Sequence, residues 1–317
     1  MKKRLPNVEF RKLVTLLKEP KEKKKFYVAQ EQRKIDWPAY NLTQINQAKD
    51  SLNFIRESVN CCPTFKIKGK RGKPLTNPKA LTKAVLICEA LGFTERAAEG
   101  WLDILGSFVG INEHLDERTI GEAYDKIEVN RMLHEIFLAT KDSDRILSGD
   151  GTGLETSIKQ NYESTKNKKE GRYMTSIVDS REIVQAFDIS GTQECRIMHE
   201  LVKEVSGDSL RLDAGFNDRK LVALIEELFM TPYVYPKKIN NLNGRPAWKS
   251  MYLEFFLDVY SWLVEYHQRS HTESFHSAFK RVYGIVTKVR SSCRFSQITA
   301  RIILHNFRRM SYFAKAK

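Results

Sequence analysis

The stretch ILSGDGTGL at residues 146–154 decides the fold class, because the hydrophobic pattern of the chain changes there from helical to strand-like. Residues 172–178 and 182–189 predict a hairpin after this first strand. Two shorter strands are predicted at 210–213 and 233–235. Because helical sequence separates these later strands, the pattern predicts a mixed α/β sheet flanked by helices.

Helical periodicity dominates the sequence around the later strands. Residues 198–205 predict one helix, and a turn at Gly215 leads into a second helix with an apolar face over 221–228. Long helical sequence then runs over 248–283, and we expect its apolar side to pack on the sheet.

The sequence that precedes the sheet predicts an all-α region. One helix begins at Pro78 and ends before Gly92, and a second begins after the capping residue Thr94. The pair is typical of a DNA-binding helix-turn-helix or of an ordinary helical hairpin. The second helix carries mostly acidic charge, so both interpretations stay open. Further helices are predicted at 117–127 and 131–140.

The first 75 residues combine runs of basic residues with one short amphipathic stretch, FRKLVTLL at 10–17. The runs KEKKK at 21–25 and KIKGKRGKP at 66–74 are typical of a solvated basic segment. The chain is therefore predicted to have three regions: a basic arm with weak helices and a linker at 1–75, a helical region at 76–144 that is a candidate helix-turn-helix DNA-binding region, and a mixed α/β domain with basic C-terminal helices at 145–317.

Basic charge is unevenly distributed along the 317 residues, which carry 53 Lys and Arg against 39 Asp and Glu. Residues 1–85 have a net charge of +14 and residues 86–150 a net charge of −8. Ten basic residues and no acidic residue follow Glu273. Charge of this kind favours a polyanionic partner such as nucleic acid.

The sequence gives no sign of a membrane or secreted protein. The longest apolar stretches, at 84–93 and 251–266, are interrupted by acidic residues and fall short of the ~18 uncharged residues of a membrane span. The basic N-terminus lacks the apolar segment of a signal peptide. The five cysteines form no disulfide pattern, so we expect a reducing cytoplasm and no membrane partner.

Three acidic residues fall where the predicted sheet would concentrate charge. Asp150 lies in the first strand between two glycines, which let a ligand approach closely. Asp213 ends the strand at 210–213, and Glu273 lies in the long helical sequence. Carboxylates at strand ends suit Mg²⁺, but an Asp at the end of a strand is equally typical of a cap on the next helix.

One face of a continuous helix would carry Tyr266, Arg269, Glu273 and Lys280. At ~100° per residue their positions fall within roughly 60° of one another and span ~21 Å. Gln268 and His271 interrupt the apolar side of that helix, so a bend or break there stays open. A carboxylate flanked by bases can hold a metal ion while the bases bind phosphates. The alternative is a solvated face on which Arg269 and Glu273 form an i,i+4 ion pair.

The same residues resemble a known family. The spacing Y-(2)-R-(3)-E-(6)-K from Tyr266 to Lys280 is similar to the signature of the DDE transposases of bacterial and archaeal insertion sequences. The segments SGDGT at 148–152 and LDAGF at 212–216 resemble the first-Asp strand and the second-Asp motif of that family. The resemblance covers roughly residues 78–313 and is strongest at these motifs.

The resemblance implies an RNase H-like catalytic domain at 145–317 and a role for each motif residue. The implied catalytic triad, which would bind the metal ions, is Asp150, Asp213 and Glu273. The residues that would contact DNA near the cleaved phosphate are Tyr266, Arg269 and Lys280. The implied cofactor is a pair of Mg²⁺ ions, for which Mn²⁺ can substitute.

The implied reaction is cut-and-paste transposition, in which cleavage at the element ends frees a 3′-OH that then joins target DNA. The implied partners are double-stranded DNA, as terminal inverted repeats and as target, and a second copy of the chain, since two ends must be cut together. Some relatives hold a flipped base with a tryptophan, for which Trp248 and Trp262 are candidates. We expect a cytoplasmic, nucleoid-associated protein of a prokaryote. Two alternatives stay open: an RNase H-like nuclease that cleaves without joining, and a non-catalytic, transposase-derived DNA-binding protein.

Overall fold

The computed structural model describes residues 5–25, 35–64, 76–156, 173–189 and 194–316. The helices are α1 (Asn7–Leu16), α2 (Pro20–Lys25), α3 (Trp37–Cys61), α4 (Pro78–Leu91), α5 (Glu95–Val109), α6 (Glu117–Ala123), α7 (Ile127–Ala139), α8 (Glu194–Leu201), α9 (Arg219–Glu227), α10 (Pro246–Leu257), α11 (Val259–His267), α12 (Ser270–Tyr283) and α13 (Ser291–Lys315). The strands are β1 (Ile146–Gly153), β2 (Tyr173–Asp179), β3 (Val184–Ile189), β4 (Ser209–Leu212) and β5 (Thr231–Val234).

The chain divides into two compact units that cut across the predicted boundaries at residues 75 and 144. The sheet unit comprises Met1–Lys34, Ser143–Gly153 and Tyr173–Ser277. The helical unit comprises Ile35–Asp142, Leu154–Arg172 and Ala278–Lys317. Each unit is therefore assembled from segments that are distant in sequence.

The sheet unit contains a five-stranded mixed sheet in the order β3-β2-β1-β4-β5. β1, β2 and β3 are antiparallel neighbours, whereas β4 and β5 run parallel to β1. Helix α8 packs on β2 and β3, and α9 and α11 contact β5. The mixed α/β sheet is thus confirmed, and each predicted strand overlaps an observed one.

Helix α1 packs into the core of the sheet unit, although the sequence places it in a basic arm. Phe10, Val14 and Leu17 are buried in that core. The ring of Phe10 lies 5.4 Å from the ring of Tyr252 and 5.9 Å from that of Phe255, both on α10. Phe10 and Val14 of α1 and Leu17 directly after it are spaced four and three residues apart, so they share one face. The basic residues of α1 lie on the other side.

The helical unit is built around α13, which packs against α3, α4 and α7. Helix α3 also lies in the region predicted as a basic arm with weak helices and a linker. Its buried positions include the small or polar residues Ala39, Thr43 and Ser51, so hydrophobic periodicity gives little sign of the helix. The rest of the predicted linker, at 65–75, lies outside the described residues.

The predicted ends of α4 and α5 are confirmed by their caps. Asn77 accepts a hydrogen bond from the backbone N–H of Lys79 at 2.9 Å, and the residue after α4 is Gly92, in the left-handed conformation at φ 70°. Thr94 accepts from the backbone N–H of Ala97 and caps α5. These caps fit either a helix-turn-helix or a helical hairpin.

A buried polar network connects α4 to α13 in the helical unit. Glu89 Oε2 accepts a hydrogen bond from Arg301 Nε at 2.6 Å. Its Oε1 accepts from the hydroxyl of Tyr124 at 2.7 Å and from Gln297 Nε2 at 3.0 Å. The buried carboxylate is therefore fully paired, as burial of a charge requires.

The long helical sequence predicted over 248–283 forms three helices rather than one. Asp258 ends α10 and caps α11 by accepting a hydrogen bond from Ser261 N at 3.0 Å. Gln268 and Arg269 form the connection between α11 and α12. No helix among the described ranges has both the length and the apolar composition needed to span a bilayer.

Candidate active site

The parallel pairing of β1 with β4 brings Asp150 and Asp213 together. Gly149 and Leu212 are partners in the register of the two strands. Asp150 directly follows Gly149, and Asp213 directly follows Leu212. The Cα atoms of the two aspartates therefore lie about one strand spacing apart, ~4.8 Å. Since β4 ends at Leu212, Asp213 lies at the carboxyl end of a strand, where open sheets form their binding crevices.

Each aspartate also accepts a hydrogen bond from the backbone N–H of the residue that follows it. Asp150 Oδ1 accepts from Gly151 at 2.8 Å, and Asp213 Oδ1 accepts from Ala214 at the start of a 3-10 turn. The capping role that is the alternative for Asp213 is therefore present. Capping does not prevent metal binding, because an ionised carboxylate has about four lone-pair sites.

Arg269 joins two of the three carboxylates of the implied triad. Its Nη1 donates to Asp150 Oδ2 at 2.9 Å, and its Nη2 donates to Glu273 Oε1. The pair with Glu273 is the expected i,i+4 contact, but the pair with Asp150 links residues 119 positions apart. One guanidinium thus holds Asp150 and Glu273 close together, beside Asp213.

The four residues do not share one continuous helix, because the helix is broken at Gln268 and Arg269, between α11 and α12. Tyr266 precedes the break and is buried among aromatic rings, stacked on Trp262 with ring centroids 5.3 Å apart. Burial raises the pKa of the Tyr266 hydroxyl, while the charge of Arg269 and a side-chain hydrogen bond with it act in the opposite direction. The Tyr266 hydroxyl therefore lies close to the guanidinium of Arg269.

Neither tryptophan that is a candidate for holding a flipped base presents its ring to solvent. Trp248 and Trp262 are both buried in the core of the sheet unit. Trp248 Nε1 donates to the backbone carbonyl of Asn241 at 2.9 Å, so the indole N–H of that ring is hydrogen-bonded within the core. Both rings have a packing role in this structure.

Lys280 lies on the exposed side of α12, seven residues beyond Glu273. Seven residues correspond to two turns and ~10.5 Å along the axis, so both side chains lie on the same face of the helix. Phe275 and Phe279, on the other face, are buried. Lys280 belongs to the helical unit, because the boundary between the units falls within α12.

A fourth carboxylate, absent from the sequence prediction, lies against β1. Glu194 is the first residue of α8, and its carboxylate packs on the backbone of Gly151. A Cβ at position 151 would lie 2.6 Å from Glu194 Oε1, so only glycine leaves room for this contact. Glu194 is exposed, but partial desolvation of its carboxylate raises its pKa, and the charges of Asp150 and Asp213 raise it further. In the sequence, Gly151 is the feature that permits this close contact. The sequence does not show that Glu194 is the residue in contact.

The site contains more negative charge than Arg269 compensates. Burial raises the pKa of Asp150, and the charges of Asp213 and Glu273 also raise it. The hydrogen bond from Gly151 and the charge of Arg269 lower it, but the net change is upward. A divalent cation would relieve this repulsion, and clustered carboxylate oxygens are the ligands that Mg²⁺ prefers. The donor set therefore fits the implied ion.

The chain is similar to a probable transposase for insertion sequence element ISA1214 of Archaeoglobus fulgidus. The two sequences are 25% identical over 252 residues, which cover 76% of this chain and 76% of that protein. No protein-family model matches the chain. No solved structure is significantly similar to it.

Proposed function

We propose that this chain is a DDE transposase of an insertion sequence, which cleaves DNA at the element ends and joins the freed 3′-OH to target DNA. The observation that carries the proposal is the convergence of Asp150, Asp213 and Glu273 from separate elements of the sheet unit. The strand order β3-β2-β1-β4-β5 supports an RNase H-like core. The similarity to the ISA1214 protein supports the transposase class.

The proposed catalytic residues carry more negative charge than Arg269 balances. Asp150, Asp213 and Glu273 would bind two Mg²⁺ ions, or Mn²⁺ in their place, and these ions when bound activate the attacking oxygen and stabilise the leaving oxygen. Arg269 pairs with Asp150 and Glu273 in the structure. With cations bound to those carboxylates, Arg269 would be free to bind a DNA phosphate through two parallel hydrogen bonds.

The proposed DNA contacts begin at Arg269 and continue along α12. Tyr266 positions the guanidinium, and Lys280 lies on the exposed face of α12 that also carries Glu273. Exposed bases that follow Glu273, such as Lys280 and Arg281, supply further phosphate contacts. We propose that the protein acts as a homodimer on double-stranded DNA in the cytoplasm of a prokaryote, because two element ends must be cut together.

Asp213→Asn tests the assignment of the triad. Asn retains the size of the side chain and its ability to cap the following turn, but it loses the charge that a metal ion needs. We expect Mg²⁺-dependent cleavage of a plasmid carrying the gene and its flanking DNA to fall more than about 100-fold, equivalent to a loss of roughly 3 kcal/mol. Binding of the same plasmid should stay close to that of the wild type.

Asp208→Asn is the matched control, because Asp208 lies at the opposite end of β4. Its carboxylate pairs with Arg145 at 2.7 Å in an exposed position. This variant should cleave like the wild type. Cleavage that survives in Asp213→Asn, or that falls equally in both variants, would show that the triad is wrongly assigned.

A hairpin oligonucleotide with a free 3′-OH separates the proposed function from the two alternatives. A transposase should give a joined product with this substrate. Cleavage without joining would identify a nuclease, and DNA binding without cleavage would identify a non-catalytic DNA-binding protein. Either result would overturn the proposed reaction.

A further inference from the structure

A second cluster of metal-binding side chains lies on the sheet unit, outside the carboxylate site. Helix α8 carries Cys195 and His199 four residues apart, so both side chains lie on one face of the helix. Asp218, the residue before α9, lies beside them. The ligand atoms of the three side chains are all within 4.8 Å of one another, and all three residues are half-buried.

A hydrogen bond between His199 and Asp218 explains only part of this cluster. Asp218 Oδ1 accepts from Lys220 N at 2.8 Å and so caps α9, while Oδ2 lies 2.9 Å from His199 Nε2. This pair would be stable without any other group. It does not account for the sulfur of Cys195, a free thiol that lies close to both ligand atoms.

We propose that Cys195, His199 and Asp218 bind a zinc-type divalent cation, with a fourth position open to water. Thiolate, imidazole and carboxylate are the ligand types of Zn²⁺, at bond lengths of ~2.0–2.3 Å that put tetrahedral ligands about 3.3–3.8 Å apart. Mg²⁺ prefers oxygen ligands in an octahedron, so it does not match a sulfur and nitrogen donor set.

Binding requires a defined movement of protons. The ion takes the place of the hydrogen between His199 and Asp218, and the neutral imidazole carries its proton on Nδ1 instead. The Cys195 thiol loses its proton to solvent and binds as the thiolate.

The ion would connect α8 to the segment between β4 and α9. That segment begins at Asp213 and ends at Asp218, and its 3-10 turn already packs on α8. Glu194 directly precedes Cys195. The cation would therefore fix two chain segments that carry acids of the candidate active site. The metal site itself does not depend on the proposed function, because cation binding is measured directly.

Titration of the metal-free, full-length protein with Co²⁺ tests the site. Co²⁺ readily occupies zinc sites, and a thiolate ligand gives it a charge-transfer band in the near ultraviolet that oxygen ligands do not produce. We expect one equivalent of Co²⁺ to produce this band and one equivalent of Zn²⁺ to remove it. Cys195→Ser should abolish the band and weaken Zn²⁺ binding at least about 100-fold, the upper end of the cost of losing an outer-shell partner.

Two further variants make the result interpretable. Cys61→Ser removes an exposed free thiol from the helical unit and should leave the titration unchanged. Asp218→Asn keeps the cap on α9, so it should fold, retain the thiolate band and bind Zn²⁺ about tenfold more weakly. A wild-type protein without the band would overturn the proposal. So would a band that is lost in Cys61→Ser but kept in Cys195→Ser, or an Asp218→Asn affinity equal to that of the wild type.

Discussion

Arg269→Gln should make the stability of the sheet unit depend on Mg²⁺. Arg269 supplies one positive charge that pairs with both Asp150 and Glu273. Glutamine retains much of the side-chain length but carries no charge. In the variant, these two carboxylates remain near Asp213 and Glu194 without the guanidinium that pairs with both of them.

The size of the effect follows from the burial of each ion pair. The side chains of Arg269 and Asp150 are only 18% and 20% exposed. At an effective dielectric constant of ~20 their attraction over ~4 Å is about 4 kcal/mol, part of which is offset by desolvation. Glu273 is 56% exposed, so its pair contributes at most about 1 kcal/mol. We expect a net loss of about 3 kcal/mol, or roughly 6–12 °C in Tm.

Thermal melts in EDTA and then in saturating Mg²⁺ measure both parts of this prediction. Mg²⁺ should restore about half of the lost stability in Arg269→Gln, because the ion supplies the missing positive charge. It should raise the Tm of the wild type less, because Arg269 must first be displaced.

Arg145→Gln is the matched control for these melts. It removes an arginine from the exposed pair with Asp208, at the far end of β4, and should cost less than about 1 kcal/mol. The reasoning would be refuted if Arg269→Gln melted like the wild type in EDTA, or if Mg²⁺ left its loss of stability unchanged.

Two further predictions concern Glu194 and the buried network of the helical unit. Glu194→Gln should weaken Mg²⁺ binding about tenfold in a calorimetric titration, because it removes charge close to Asp150 and Asp213; an unchanged affinity would exclude Glu194 from the site. Arg301→Met should destabilise the protein by about 3–5 kcal/mol in urea unfolding, since the Glu89 and Arg301 side chains are each only 7% exposed and Glu89 would lose its counter-charge. Adding Glu89→Leu should recover much of that loss, and a single variant that loses less than about 1 kcal/mol would contradict the argument.

The strands of the sheet are predictable from the sequence, but their neighbours are not. Hydrophobic alternation identifies a strand from its own residues, and all five predicted strands overlap observed ones. Alternation carries no information on which strands pair. The adjacency of Asp150 and Asp213 depends on the parallel register of β1 with β4, so only the structure could supply it.

Hydrophobic periodicity does not reveal the N-terminal part of α8. The helix predicted at 198–205 begins four residues late, because the first turn starts with the polar side chain of Glu194 and the apolar spacing begins at Ile197. The missing turn carries Glu194 and Cys195. The fourth carboxylate and the cluster proposed to bind zinc both depend on this turn, so neither is predicted from the sequence.

The break between α11 and α12 is partly visible in the sequence. Residues 248–283 are helical in composition, and Gln268 and His271 interrupt their apolar side close to the observed break at Gln268 and Arg269. The spacing of Tyr266, Arg269 and Glu273 was therefore informative for a reason other than a shared helical face. Arg269 reaches both Asp150 and Glu273 from a connection, and the Tyr266 hydroxyl of the preceding helix lies close to it.

The packing of α1 and α3 changes how the basic charge of residues 1–85 can act on DNA. A loose arm could be deleted to test its phosphate contacts, but α1 places Phe10 and Val14 in the core of the sheet unit, and α3 places Ile55 and Val59 in the helical unit. Deleting residues 1–75 would expose both cores and lose binding through unfolding. The informative change is replacement of exposed bases on these helices, because each lost phosphate contact then lowers the slope of log affinity against log salt by ~0.9 while the fold is retained.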